Sequence, residues 1–174
     1  SYTYFYGFNF KPKFAAEYEP ENWAVAVNNK SFRRAIYHAF DRKAAMLTAE
    51  PYAPDRRLQT TITPRGFASA GGLDFVATGP LLTIANTDSF NKARALEFKA
   101  AAMKELSGKA KFPVKIMMPY NSGGSEWTNR VQVVEQQLEG LLGKDFIDVI
   151  PVSFPPTGFL NATQIGRASC RERV

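Results

Sequence analysis

Between residues 114 and 152 the hydrophobic period of this chain changes twice, which constrains the fold more than any other feature. Val114, Ile116 and Met118 recur every second residue, the period of a strand. The loop PYNSGG follows. From Ser125 to Leu142 the pattern becomes helical, with Trp127, Val131, Val134, Leu138 and Leu141 on one face and Gly143 as the stop. Residues 146–152 then return to a strand. Strand, helix and strand in this order predict a β-α-β unit with parallel strands and a right-handed crossover. Ligands of open α/β sheets gather at the carboxyl ends of strands. PYNSGG lies at such an end, just before a helix amino terminus.

The upstream sequence supplies further elements. Tyr2 to Phe10 alternates as a strand with both faces partly covered. Trp23, Val25 and Val27 suggest a short extended piece. Ser31 to Thr48 reads as a helix capped by Ser31, with Phe32, Ala35, Ile36, Ala39 and Phe40 on its apolar stripe and His38 beside it. Pro51 and Pro54 end that pattern. Residues 51–87 are rich in Pro, Gly and Thr; a structureless crossing of that length is unusual, so it hides short turns or packs over a neighbouring surface. Another helix spans Phe90 to Leu106, capped by Thr87 or Asp88, with Phe90, Ala93, Leu96, Ala100, Met103 and Leu106 on one face.

Composition narrows function by exclusion. The 174 residues suit one domain with a core; they are 45% hydrophobic and 13% aromatic. No stretch reaches the roughly 18 apolar residues of a membrane-spanning helix, and the start SYTYFYGFNF shows no signal-peptide pattern. The net charge is +6, but the basic residues are scattered and no nucleic-acid motif is present, so no nucleic-acid partner is expected. The only cysteine is Cys170 and the only histidine is His38. That inventory argues against thiolate catalysis, an internal disulfide or a zinc site, so neither a metal nor another cofactor is expected. His38 reads as a packing residue.

The loop carries the candidate chemistry. Tyr120 and Asn121 offer a ring, a hydroxyl and an amide. Gly123 and Gly124 permit close main-chain approach, and free amides at the helix start could meet a negative group. Trp127 either covers an apolar part of a cleft or packs in the helix core. Arg130 could pair with a ligand carboxylate. The plainer alternative is a Gly-rich turn with a surface tyrosine and a solvated arginine. PYNSGG is not a Walker sequence and there is no serine elbow. No acid/base motif surrounds Ser125, so no catalytic residue is assigned and the chain is not expected to be an enzyme.

YFYGFNFKP followed by NNKSFRRAIYHAFDRKAAM resembles the family-5 extracellular solute-binding proteins, the oligopeptide- and dipeptide-binding components of ABC importers. Phe8-Asn9 match the family's "FN" phrase; Arg34, Ala35, Ala39, Asp41 and Arg42 match its "R-x-A-h-x-x-A-h-D-R" helix. SFNKARALEFKAAAMKEL before FPVKI, and VVEQQLEGLLG before a strand, resemble later pieces of the same pattern. The resemblance implies an α/β fold, a partial large carboxyl-terminal lobe of a two-lobed periplasmic-binding-protein-like architecture of class II type. It implies capture of a short peptide without catalysis, lobe closure about a hinge near Tyr6 to Asn9, and delivery to a membrane permease. The implied place is outside the cytoplasm, as a monomer that is either a cell-surface lipoprotein or free in the periplasm. Asn9 would fasten the crossing strand or touch ligand, and Asp41 and Arg42 would serve the scaffold. The same fold could instead bind a sugar, nickel or an opine; a truncated α/β enzyme domain is the alternative of another class.

The segment IGRASCRERV has no counterpart in that pattern and resembles translated sequencing-adapter read-through. Residues 1–164 are therefore assigned to the lobe and 165–174 to a non-native tail. The tail carries three arginines against one glutamate, which leaves the lobe at +4.

Overall fold

The computed structural model describes residues 5–163, together with the strand backbone of 170–173. Strand β1 (Phe5–Phe8) comes first, followed by helix α1 (Pro20–Asn28), α2 (Lys30–Ala39) and α3 (Arg42–Met46). A hairpin of β2 (Ser69–Ala70) and β3 (Leu73–Asp74) precedes α4 (Gly79–Ala85) and α5 (Lys92–Glu105). Then come β4 (Val114–Asn121), α6 (Ser125–Leu142), β5 (Ile147–Phe154), α7 (Pro156–Ala162) and β6 (Cys170–Arg173).

The β-α-β unit is present as expected. β4 and β5 pair in parallel from Val114 opposite Ile147 to Asn121 opposite Phe154. α6 buries Val131, Val134, Leu138 and Leu142, and Gly143 ends it at φ 86°, a conformation that costs glycine little. β5 runs two residues beyond the expected end at Val152, and the short α7 was not foreseen.

Several local expectations are corrected. Trp23 to Val27 is helical, not extended: Pro20 occupies the first turn of α1, where its fixed φ is favourable. Trp23, Ala26 and Val27 then share the buried face at helical spacing, leaving Val25 outside. The helix expected from Ser31 to Thr48 is two helices. Asn29, not Ser31, caps α2, its Oδ1 accepting from the Phe32 amide at 2.7 Å; Ser31 Oγ donates to Glu105 instead. Asp41 caps α3, its Oδ1 accepting from the Ala44 amide at 3.0 Å, a scaffold role as expected. Arg42 reaches the Gln59 carbonyl and lies 3.9 Å from Asp88.

α5 is capped by Asn91, whose Oδ1 accepts from the Arg94 amide, not by Thr87 or Asp88. Its buried face is also rotated from the expected stripe: Ala95, Ala102 and Leu106 are buried while Leu96 is exposed. Alanine at these two positions lets α5 lie close along α2. His38 packs as expected, with Nδ1 2.7 Å from the Ser89 carbonyl oxygen and its ring stacked on Phe98.

The crossing at 51–87 hides short elements. Gly71 and Gly72, both at positive φ, turn the β2–β3 hairpin. Residues 1–4, at the start of the expected first strand, lie outside the described residues. So do 164–169 and 174, and with them most of the segment assigned to the tail. Residues 170–173 run antiparallel to β1. Such a ladder is made by backbone groups and makes little demand on side-chain identity.

The entry to α1 is pinned electrostatically. Glu19 Oε1 lies 3.1 Å from Lys111 Nζ and 3.2 Å from Lys115 Nζ. The hydrogen bond from Lys111, helped by Lys115, holds the Glu19 carboxyl below its ordinary range. A carboxyl depressed on folding adds stability above its unfolded value and loses it as pH falls through the folded value. Glu19→Gln should therefore cost about 1 kcal/mol near neutrality. Urea melts should show the variant and parent converging once the pH drops below the depressed range.

Candidate functional site

Parallel pairing brings the ends of β4 and β5 to one rim, with Tyr120 opposite Ser153 and Asn121 opposite Phe154. The chain turns there within three residues. Asn121 Oδ1 accepts from the Gly123 amide at 2.8 Å, and both the amide and the hydroxyl of Ser122 donate to the Phe154 carbonyl, at 2.9 and 3.0 Å. The two loops that follow β4 and β5 are thus one hydrogen-bonded unit. A Cβ on Gly123 would stand 2.5 Å from Pro156 Cγ and 3.0 Å from Asn121 Oδ1. The close approach anticipated at Gly123 is therefore made to Pro156 of α7, within the chain itself.

Gly124 is the N-cap of α6 and offers no side-chain cap. The first amides of an 18-residue helix point to this rim with the positive end of its dipole. Trp127 and Arg130 stand one turn in, both half-buried. The Arg130 guanidinium carbon lies 4.7 Å from the Trp127 ring centroid, a cation–π contact. The planar fork of an arginine suits a carboxylate. Arg130 is the sixth residue of α6, slightly deeper than the first turn.

Of the five candidate residues, Tyr120, Asn121, Trp127 and Arg130 belong to this rim. Tyr120 is half-buried and also packs on the hydrophobic core, so its ring serves the scaffold as well. The Asn121 Nδ2 makes no hydrogen bond among the described residues, while its oxygen holds the turn. Asn9 has a structural task. It is buried, its Oδ1 accepts from the Lys11 amide at 2.9 Å, and its carbonyl accepts from the Trp23 indole N–H at 2.8 Å. Of the two roles considered for it, these contacts are those of a fastener.

Phe154, Pro155 and Pro156 complete the rim and were not anticipated. Their signal was present in SFPPTG directly after a strand, where Pro-Pro closes the strand and Pro156 opens a helix. Among the described residues, no three His, Cys, Asp or Glu side chains converge as a metal site, and no helix is long and apolar enough to cross a membrane.

No known family model matches the sequence. The fold matches part of solved substrate-binding domains of peptide ABC transporters. The substrate-binding domain of an oligopeptide ABC transporter from Bacillus anthracis superposes with a TM-score of 0.72 at 20% identity, over 98% of this chain and 29% of that one. Listeria monocytogenes OppA bound to peptide gives 0.72 at 16% identity, over 98% and 30%. In sequence the chain is similar to oligopeptide-binding proteins. It is 28% identical over 162 residues to SarA of Streptococcus gordonii, covering 84% of this chain and 24% of that protein. It is also 28% identical over 166 residues to AliB of Streptococcus pneumoniae, covering 83% and 26%. The chain thus spans about a quarter of the length of these curated relatives.

Packing at the turn separates two glycines on the same unit. Gly123→Ala drives a Cβ into Pro156 and should cost about 1–3 kcal/mol. Gly140→Ala, within α6 with nothing inside 4 Å of the added carbon, should stabilise by about 0.5–1 kcal/mol. Paired chemical-denaturation curves test the opposite signs.

Proposed function

We propose that this chain is part of the ligand-binding lobe of a protein that captures oligopeptides outside the cytoplasm and hands them to the membrane permease of an ABC importer. The observation that carries this reading is the α6 amino terminus. An uncapped helix start and an arginine set on a tryptophan face lie at the carboxyl ends of two parallel strands, where a peptide carboxylate would find both dipole and guanidinium. Likeness to peptide-binding relatives supports the same ligand class. The protein binds and releases without breaking a bond, in keeping with relatives named as oligopeptide-binding and substrate-binding proteins. It acts as a monomer, either lipid-anchored or free outside the cytoplasm, and Tyr6 to Asn9 lies near the hinge between lobes.

The full-length protein containing this lobe should bind short peptides with free carboxyl termini. Arg130→Gln should weaken that binding roughly tenfold, the scale of one charge-assisted contact, while changing affinity for the same peptides as amides by less than about twofold. Calorimetry on acid and amide pairs reads both effects. Equal loss for the two forms would remove Arg130 from carboxylate recognition, and binding of sugars, nickel or opines in place of peptides would overturn the ligand class.

The domain assignment is part of the same proposal: residues 1–164 are lobe and 165–174 are not. Sequencing the source DNA across the codons for Phe159 to Val174 should show lobe sequence continuing where IGRASCRERV now stands. The same ten codons read in place from genomic DNA would refute the assignment.

A further inference from the structure

Away from the β4–α6 rim, β1 and α2 enclose an open pocket of about 280 Å³, lined by Phe8, Lys30, Arg33, Arg34 and Tyr37. Of the five described residues that line it, three are cations and none is acidic. Several cations elsewhere in the fold meet carboxylates: Lys43 meets Asp55, Lys99 meets Asp145, Lys111 and Lys115 share Glu19, and Lys144 meets Glu139. Lys30, Arg33 and Arg34 meet no carboxylate among the described residues. The nearby Glu105 makes its hydrogen bonds to Asn29 Nδ2 and Ser31 Oγ rather than to these cations.

The two guanidinium groups are held by other means. Arg33 Nη1 donates to the Val27 carbonyl at 2.6 Å, and its guanidinium carbon sits 5.3 Å from the Phe10 ring centroid. The Arg34 guanidinium carbon sits 5.2 Å from the Phe98 ring centroid. Stacking occupies the face of a guanidinium and leaves edge N–H donors for another group. Holding three like charges in five consecutive residues costs repulsion that an anion would relieve. We propose that this pocket is a binding site for an anionic group, a carboxylate or a phosphate, held by Lys30, Arg33 and Arg34 with Tyr37 against its apolar side. The site is separate from the rim and does not depend on peptide binding there.

The test is a heteronuclear NMR titration of the 174-residue chain, with inorganic phosphate and sodium acetate added separately at constant ionic strength. Saturating shifts at the Arg33 and Arg34 side-chain N–H groups and at the Tyr37 amide are expected. Phosphate alone would assign the site to phosphate-bearing ligands, and acetate with equal affinity to carboxylates. Lys30→Gln and Arg34→Gln, both at exposed positions, should each weaken binding roughly fivefold. Arg34→Lys should restore most of it, and Lys92→Gln on exposed α5 surface should leave it unchanged. Amide dispersion in the same spectra reports folding of each variant. Shifts that grow linearly with either anion, or that respond equally to Lys92→Gln, would overturn the proposal.

Discussion

Five aromatic rings in series hold the two halves of this fold together. Phe8 of β1 lies against Trp23 of α1, Trp23 against Phe32 of α2, Phe32 against Phe146 before β5, and Phe146 against Phe112 before β4, with centroid separations of 5.5 to 6.5 Å. Trp23, Phe32 and Phe146 are fully buried. Rings of this size dominate the burial energy of a small core, and edge-to-face or offset contacts add to it. The Trp23 indole N–H also satisfies the buried Asn9 carbonyl, so β1 is tied to the helical layer by a hydrogen bond as well as by area.

The other anchor is Glu139 on α6. Its Oε1 accepts from the Val149 amide at 2.9 Å and its Oε2 lies 3.1 Å from Lys144 Nζ. A buried carboxylate is costly unless both oxygens are engaged, and here they are. The bond to a β5 amide sets α6 against the strand it precedes. Burial, reinforced by the negative charge of Glu139, pushes the neighbouring Glu135 carboxyl upward. Glu139 thus anchors the carboxyl-terminal part of α6, the helix whose amino-terminal part carries Trp127 and Arg130.

The β-α-β unit was legible because three periodic signals agree over 114–152, and helix existence was legible wherever apolar residues recur at three and four. Caps were harder. Asn29, Asp41 and Asn91 each bond the amide three residues on, but Ser31, Thr87 and Asp88 stand close by with the same chemistry. Sequence cannot rank neighbours whose choice depends on tertiary partners, such as Glu105 for Ser31. The rotated face of α5 went unseen because alanine carries a weak hydrophobic signal while permitting close helix contact. That Tyr120, Asn121, Trp127 and Arg130 lie at one rim followed from their position after a strand and at a helix start. Pro156 was missed because its role depends on β5 and β4 ending side by side.

Aromatic residues account for 13% of the chain, and the structure gives them two tasks. Inside, ring meets ring. Nearer the surface, ring meets guanidinium: Phe10 with Arg33 and Phe98 with Arg34. A carboxylate partner would orient an arginine equally well but would cancel the charge a ligand needs. An aromatic face orients the cation and preserves its charge, while the edge N–H groups remain suited to hydrogen bonding. Where Lys111 and Lys115 converge on Glu19, charge is spent on holding α1 to β4. Where arginines lie on rings, the same fold keeps positive charge in a set orientation, the requirement for recognising an anionic partner.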